Sequence, residues 1–275
     1  MGSLGALWTA TSGLLAQSAA IQNISGNVAN IQTPAFKRTD TAFDELVYRH
    51  QPAESVAWRS VLTNGEAGNV VPGTTSTDMA VAGEGYFTVT GPTGVGSTGQ
   101  PTFSNSPTTY TRRGDFDLDK NGYLVNGAGN YLMGKQIDPV TKAMSATVQP
   151  LQFDMTTERP GLGVLKSISV GTAGQLQGTY SMGQTVDVAS LPIATFRGQG
   201  FMTQGSGGTF TPTTKSGAAQ YDGNGKAVGN FLETSNVDIT QETTTMMQAQ
   251  TAYSASSQVM TAAKEMMQTL TNLTI

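Results

Sequence analysis

The chain has no cysteine among its 275 residues, which excludes disulfide staples and thiolate metal centres. Charge is almost as scarce. Asp, Glu, Lys and Arg make up 12% of the residues, about half of the roughly 25% usual in soluble domains. The net charge of −4 has the wrong sign for a phosphate-binding surface, so no nucleic acid partner is expected. No apolar run approaches the ~18 residues that cross a bilayer, so membrane insertion is not expected either. The first residues lack the basic start and apolar centre of a secretory signal. Any export is therefore expected to proceed without a cleaved signal peptide. His50 is the single histidine, and there is neither a Gly-x-Ser-x-Gly elbow nor a His-Glu-x-x-His to build catalysis around. We expect a surface histidine, no enzyme activity, no cofactor and no metal.

What is present is arranged as two helical ends around a β-rich middle. Leu4, Leu7, Leu14, Ile21 and Val28, with Thr11, Ser18 and Ser25 between them, follow an alternating three-four spacing that predicts a heptad seam. A second seam runs through Ile239, Met246, Ala249, Tyr253, Ser256, Met260, Ala263, Met267 and Leu270, widened by Val259, Met266 and Leu273. Ser235-Asn236-Val237-Asp238 offers N-caps for that helix, with Glu242 near its positive end. The first helix is expected to stop within Gly26-Asn27-Val28-Ala29-Asn30-Ile31-Gln32-Thr33-Pro34. The asparagine amides compete for backbone hydrogen bonds, and Pro34 pushes Thr33 out of the α region. Phe36, Lys37 and Arg38 follow.

Residues 60–230 are dense in Gly, Thr, Ser and Asn, with short alternating runs such as Tyr86–Val89 and Leu191–Phe196. Asp119-Lys120-Asn121-Gly122 between two such runs predicts a hairpin. Gly94-Val95-Gly96-Ser97-Thr98-Gly99 has the glycine spacing of a dinucleotide loop, but no helical pattern follows, so a hairpin loop is expected. Asp115, Asp117 and Asp119 alternate like the start of a calcium loop. Lys120 stands where glycine belongs and Asn126 where a bidentate Glu belongs, so the solvent face of a strand is the better account.

No charged side chain occurs from Met1 to Phe36, or from Thr243 to Ala263. A solvated helix normally carries charge on its outer face. Outer faces of Ala, Ser, Thr and Gln suit close contact with further protein. The methionines at heptad spacing then serve a core that can be built between subunits.

These residues resemble the axial proteins of the bacterial flagellum, the rod and hook subunits. Gly26–Arg38 is similar to the family's N-terminal signature, in which Asn-Asn-x-Ala-Asn leads through Thr to Gly-Phe/Tyr-Lys; here Gly26 replaces an Asn and Pro34-Ala35 replaces x-Gly. Asp78-Met79-Ala80-Val81-Ala82-Gly83-Glu84-Gly85-Tyr86-Phe87 is similar to its Gly-x-Gly-Phe-Phe strand. Tyr110–Phe116 with Asn121–Val125 resembles its hairpin, and Glu233-Thr234-Ser235-Asn236-Val237-Asp238 its C-terminal signature. Residues 178–184 and 191–196 look like the hook protein, whereas 36–48 looks at least as much like the distal rod protein. The resemblance is read as a short hook protein, with a stiff distal rod protein as the alternative. A secreted β-rich enzyme or carbohydrate-binding module, the more remote alternative, would need clustered carboxylates or exposed aromatics that the sequence does not convincingly show.

The expected fold is α+β: two long terminal helices paired as a coiled-coil-like stem, with a central, mostly antiparallel β region. The expected divisions are 1–35 and 233–275 for the inner-tube helices and 36–232 for the β domain, with 36–75 as an extended connector. The resemblance implies a helical homopolymer outside the cytoplasm, exported by the flagellar type III apparatus. It also implies rod, hook-cap and hook-filament junction proteins as neighbours. Leu4, Leu7, Leu14, Ile21, Val28, Ile239, Met246, Tyr253, Met260, Met267 and Leu270 would form the subunit interface. Asn27, Asn30, Thr33, Phe36, Lys37, Ser235, Asn236 and Asp238 would carry the signature and the helix exit.

Overall fold

The charge-poor chain ends form the two long helices that their periodicity predicts: α1, Ser3–Ala29, and α2, Ile239–Leu273. The computed structural model describes residues 3–48, 51–96, 99–221 and 225–273; side chains at 3, 4, 6, 46–48, 51–54, 270 and 273 lie outside that description. His50 also lies outside it. α1 is rich in Ala and Leu and α2 in Ala, Met and Gln, residues that lose little side-chain freedom in a helix. Their hydroxyls turn inward: Thr11 donates to the Leu7 carbonyl at 2.8 Å, Ser25 to Ile21 at 2.8 Å and Thr251 to Met247 at 2.9 Å. Such bonds satisfy hydroxyls without solvent or a distant partner.

One compact unit comprises Met1–Ile31, Lys37–Thr63 and Val237–Ile275. Within it α1 and α2 pack antiparallel. Gly13 faces Ser256, Ala20 and Ile24 meet Ala249, and Asn27 meets Glu242. The expected connector over 36–75 is instead largely a hairpin in this unit, β1 (Thr39–Tyr48) with β2 (Gln51–Leu62), antiparallel and bulged between Glu45 and Val47. It lies along α1, where Asn23 donates to Thr41 Oγ1 at 2.8 Å and to Ser60 Oγ at 3.0 Å.

The second unit comprises Gln32–Phe36 and Asn64–Asn236. Its strands are β3 (Val70–Pro72), β4 (Met79–Ala82), β5 (Phe87–Thr90), β6 (Gly94–Val95), β7 (Pro101–Thr102), β8 (Thr108–Thr111), β9 (Phe116–Leu118) and β10 (Leu124–Asn126). They continue with β11 (Tyr131–Gln136), β12 (Gln149–Pro150), β13 (Leu165–Val170), β14 (Gln175–Tyr180) and β15 (Thr185–Ser190). The last four are β16 (Thr203–Gln204), β17 (Thr209–Thr211), β18 (Lys226–Gly229) and β19 (Phe231–Glu233). The main sheet runs β13-β14-β15-β11-β5-β8-β17-β16, with β9, β10 and β12 joined at its side. β4–β18 and β3–β19 form two small sheets. The described pairings between strands are antiparallel, so the α+β character and the antiparallel middle stand. Met79, Phe87, Phe116, Leu124, Leu151 and Leu176 are among the residues that fill its core.

Local expectations in this unit mostly hold. The Asp119–Gly122 turn closes the β9–β10 hairpin: Asp119 Oδ1 accepts the Asn121 and Tyr123 amides at 2.9 and 2.7 Å. Gly122 takes φ 82° and abuts the Phe153 carbonyl, leaving no room for a Cβ. The Gly94–Gly99 stretch belongs to the β6–β7 hairpin, Gly96 N–H meeting the Gln100 carbonyl at 2.8 Å; Ser97 and Thr98 lie outside the described residues. Asp115 is drawn to Arg113 at 2.7 Å. Leu191–Phe196 is not a strand. Only Ala194 and Thr195 form isolated bridges, to Tyr86 and Gln220, and Pro192 has no N–H for a ladder.

Candidate functional site

The helix pair presents the surface on which assembly would act, and it begins with how each helix is buried. On α2, Met246, Ser256, Met260 and Met267 are half-buried and Ala249 and Ala263 fully buried, along the expected seam. Two expected members leave it. Ile239 and Tyr253 are exposed, while Glu242 and Ala252 occupy the inward positions beside them. Val259 and Met266 do not widen the seam; both are exposed. The Leu4, Leu270 and Leu273 side chains lie outside the described residues.

On α1 the seam is displaced. Leu14 is buried and Leu7, Ile21 and Val28 are half-buried, but Ser18 and Ser25 face out. The buried positions are Ala10, Leu14, Ala16, Ala19, Ala20, Ile24 and Asn27. Two neighbours explain this, α2 on one side and the β1–β2 hairpin on the other. Small alanines let both backbones come close. The remaining face carries Trp8, 72% exposed, and Leu15, 61% exposed, with Ser18, Gln22 and Ser25 on the same stripe and no charge. Phe43 and Trp58, paired across the hairpin, are exposed as well.

Asn27 is the residue whose role exceeds its expectation. Its amide nitrogen donates to the Thr39 carbonyl and to Glu242 Oε2, each at 3.1 Å, and its Oδ1 accepts the Thr39 N–H at 2.9 Å. It ties the helix to the first residue of β1 and to α2 simultaneously. Glu242 is 4% exposed, so it is a buried partner as well as a dipole complement. Both line a cleft of about 230 Å³ with Asn23, Arg38 and Asp40, where Arg38 meets Asp40 at 2.9 Å. Lys37 is fully buried in the same unit.

Asn30 donates to the Gly26 carbonyl at 2.9 Å, and the Phe36 amide turns back on the Thr33 carbonyl at 3.2 Å. Ala35 adopts φ 54° while buried, a left-handed conformation that costs a residue with a Cβ about 1–2 kcal/mol. Among the candidate caps Asp238 caps α2, its Oδ1 accepting the Thr240 and Gln241 amides at 2.7 and 3.3 Å. Those amides, Gln241 first, hold its carboxyl below the usual range. Asn236 serves the β unit instead, its amide meeting the Phe36 carbonyl at 3.3 Å, and Ser235 is half-buried beside it.

In the β unit two signature stretches converge. Arg112 Nη1 meets Glu233 Oε2 at 3.3 Å with both side chains buried. Its other nitrogens donate to the Gly85 and Gly83 carbonyls at 3.0 and 2.9 Å, and Glu233 Oε1 accepts the Gly68 amide at 2.9 Å. Every charge in this buried cluster has a partner, as burial demands. Burial also pushes the Tyr86 hydroxyl up to about 12, against the pull of Arg112. It therefore remains a donor, 3.3 Å from Gln199 Oε1. Neither residue's part in this cluster was visible from the motifs alone.

Comparison with known proteins identifies what these features belong to. Residues 80–178 match the family model described as the flagellar hook protein FlgE/F/G D1 domain, and residues 228–273 that of the flagellar basal body rod FlgEFG protein C-terminal. The chain is 30% identical to the flagellar basal-body rod protein FlgG of Caulobacter vibrioides over an alignment 292 positions long, covering 98% of both chains. It is 26% identical to FlgG of Bacillus subtilis over 293 residues, covering 98% of this chain and 99% of the relative. It is 25% identical to the flagellar hook protein FlgE of Brucella suis over an alignment 405 positions long, again covering 98% of both. With signatures in matching order from end to end, the chain belongs to the flagellar hook and basal-body rod protein family, the structural axial proteins of the flagellum.

Proposed function

We propose that this chain polymerises into a flagellar hook, a bendable joint that passes motor torque to the filament. One observation carries the reading. The helix pair leaves large apolar side chains, Trp8 and Leu15 foremost, exposed on an α1 face without charge, and exposed apolar surface of that kind favours further protein contact. Hydroxyls bonded to their own helix carbonyls make such contacts cheap to desolvate. In this reading α1 and α2 form a coiled-coil-like inner-tube stem and the β unit the outer shell. The subunit reaches its place unfolded through the flagellar type III apparatus and meets rod, hook-cap and junction proteins there. Subunits of a bending tube must slide past one another, which low charge and many Gly, Ser and Thr residues suit. The hook choice rests on residues 178–184 and 191–196, the first spanning the β14–β15 turn.

A second reading, a straight and stiff distal rod, has its own support. The rod relatives align over 292 and 293 residues, whereas the Brucella suis hook relative needs 405 against the 275 here. Electron microscopy of the purified protein, polymerised at high concentration, tests both. Curved tubes are expected. Straight tubes would select the rod reading, and monodisperse particles under every condition would overturn assembly altogether.

A further inference from the structure

An apolar groove of about 200 Å³ opens on the β unit, lined by Val70, Ala80, Val81, Ala82, Val228 and Phe231. It lies between the small sheets β3–β19 and β4–β18, and no ionisable side chain lines it. Val70 and Val228 are exposed along it.

The same unit carries an apolar knob. Met182 is 62% exposed at the turn between β14 and β15, where the Tyr180 N–H meets the Gln184 carbonyl and the Gly183 N–H the Tyr180 carbonyl, each at 2.9 Å. Of the other large exposed apolar side chains of this unit, Val70, Val71 and Val228 belong to the groove's own sheets, Val95 is short and branched, and the rest are engaged or sit among charge. Lys215 lies over the Phe201 ring at 5.9 Å, Tyr221 pairs with Tyr110 at 3.5 Å, and Val140 and Met144 flank Lys142 near Asp138. Ser181-Met182-Gly183-Gln184 contains no ionisable residue, so it can enter an uncharged groove without burying a charge. The unbranched thioether also adapts to irregular space.

Met182 cannot fill the groove of its own chain. The turn at the opposite end of β14 lies beside the groove's sheet: a Cβ on Gly174 would come within 3.2 Å of the Ala227 backbone. β14 then runs away over six residues, roughly 20 Å at strand rise, before Met182 is reached.

We propose that Met182 of one copy seats in the Val70–Val228 groove of a second copy of this chain. The proposal rests on the reading that the chain polymerises. Size selects the occupant. A free-standing specific pair buries roughly 1,600 Å², far more than one side chain in a groove of this volume can cover. A neighbour already held in a lattice is presented at high effective concentration, and there a small contact counts. Knob and groove are separate patches, so the contact is heterologous and repeats head to tail, running on as a filament wherever its rotation does not close a ring. That is the symmetry of an open helical polymer.

The cysteine-free chain gives a clean test. Met182→Cys is combined with Val228→Cys, and separately with Val70→Cys. Each variant is assembled under reducing conditions and then oxidised. Disulfides need Cα atoms about 4.4–6.8 Å apart. A ladder of covalent oligomers is expected from at least one pairing, with monomer bands from Met182→Cys or Val228→Cys alone. Tubes that give monomer bands in both pairings would overturn the contact while leaving assembly standing. No tubes from the unaltered chain would overturn assembly and this contact with it. Independently, Met182→Asp should raise the protein concentration left unassembled at least tenfold and Met182→Leu should not; equal values for the two would also overturn it.

Discussion

Single residues show how much of this molecule depends on groups that look ordinary in the sequence. Asn27 reads as a weak helix former near a helix end, yet it holds Thr39 and Glu242 through three hydrogen bonds. Each buried group left without its partner costs about 1–3 kcal/mol. Asn27→Ala is therefore expected to destabilise the helical unit by roughly 2–3 kcal/mol, speeding local hydrogen exchange at residues 20–29 by about two orders of magnitude. Glu242→Ala should cost less in that background than alone, because the two residues share one interaction; strictly additive effects would refute the pairing. Ala35 poses the opposite problem, a Cβ at φ 54°. For Ala35→Gly, relief of about 1–2 kcal/mol is offset by glycine's larger unfolded-state entropy of about 0.5–1 kcal/mol and a lost buried methyl of about 0.8 kcal/mol. A nearly neutral change is expected in denaturant titration. Ala35→Val should be clearly destabilising, since a β-branched residue fits that conformation poorly. A valine variant as stable as the parent would show that the turn does not hold this geometry.

Elements differ in how far their placement could be foreseen. α2 packs mainly on one side, so its seam through Met246, Met260 and Met267 follows from periodicity. α1 is pressed by both α2 and the hairpin, and its buried positions are chiefly alanines, which a search for large apolar residues passes over. Hairpin β1–β2 gave little warning, because no Gly, Asn or Asp stands at Arg49-His50 to announce a tight turn. The Arg112–Glu233 pair joins residues 121 apart, a distance at which local pattern carries no information. Helix α2 supplies two tests. Asp238 has a folded carboxyl pKa below its unfolded value of about 3.9, so its cap stabilises above that pH and is lost as pH falls through the lower folded value. Amides at 240–246 should exchange faster below about pH 4 in the parent. Asp238→Asn keeps a capping oxygen without titrating and should show a flatter profile; an identical acid response in both would assign the effect elsewhere. Met260→Asp would set an unpaired carboxylate on the seam, at a cost of a few kcal/mol unless it is protonated or hydrated. Lost motility with near-normal expression is expected, and normal swimming would show that this part of the seam is not a dry contact.

At the scale of the whole molecule the two units have unequal means of holding themselves together. The β unit encloses a continuous core around Phe87, Phe116 and Leu124 and a fully partnered buried ion pair. The helical unit centres on Ala20, Ile24 and Ala249, mostly small side chains that remove little apolar area from water. Its anchoring is also uneven. Asn27–Glu242, the Ile24 cluster and the Asn23 bonds to the hairpin hold the end of α1 nearest its exit, whereas toward the other end the buried positions are small alanines, Ala10 and Ala263. Long helices with so little buried surface are marginal in water. Assembly would supply the missing cover. Hydrogen exchange should therefore show a gradient in the monomer: slowest in the β unit from Asn64 onward, intermediate at residues 20–29 and 242–252, and fast at 5–12 and 257–269. In the polymer the fast segments should slow by orders of magnitude, while the β unit barely changes. Equal protection of residues 5–28 in monomer and polymer would mean that the helices are already complete within one subunit, and the scarcity of charge on their outer faces would then need another explanation.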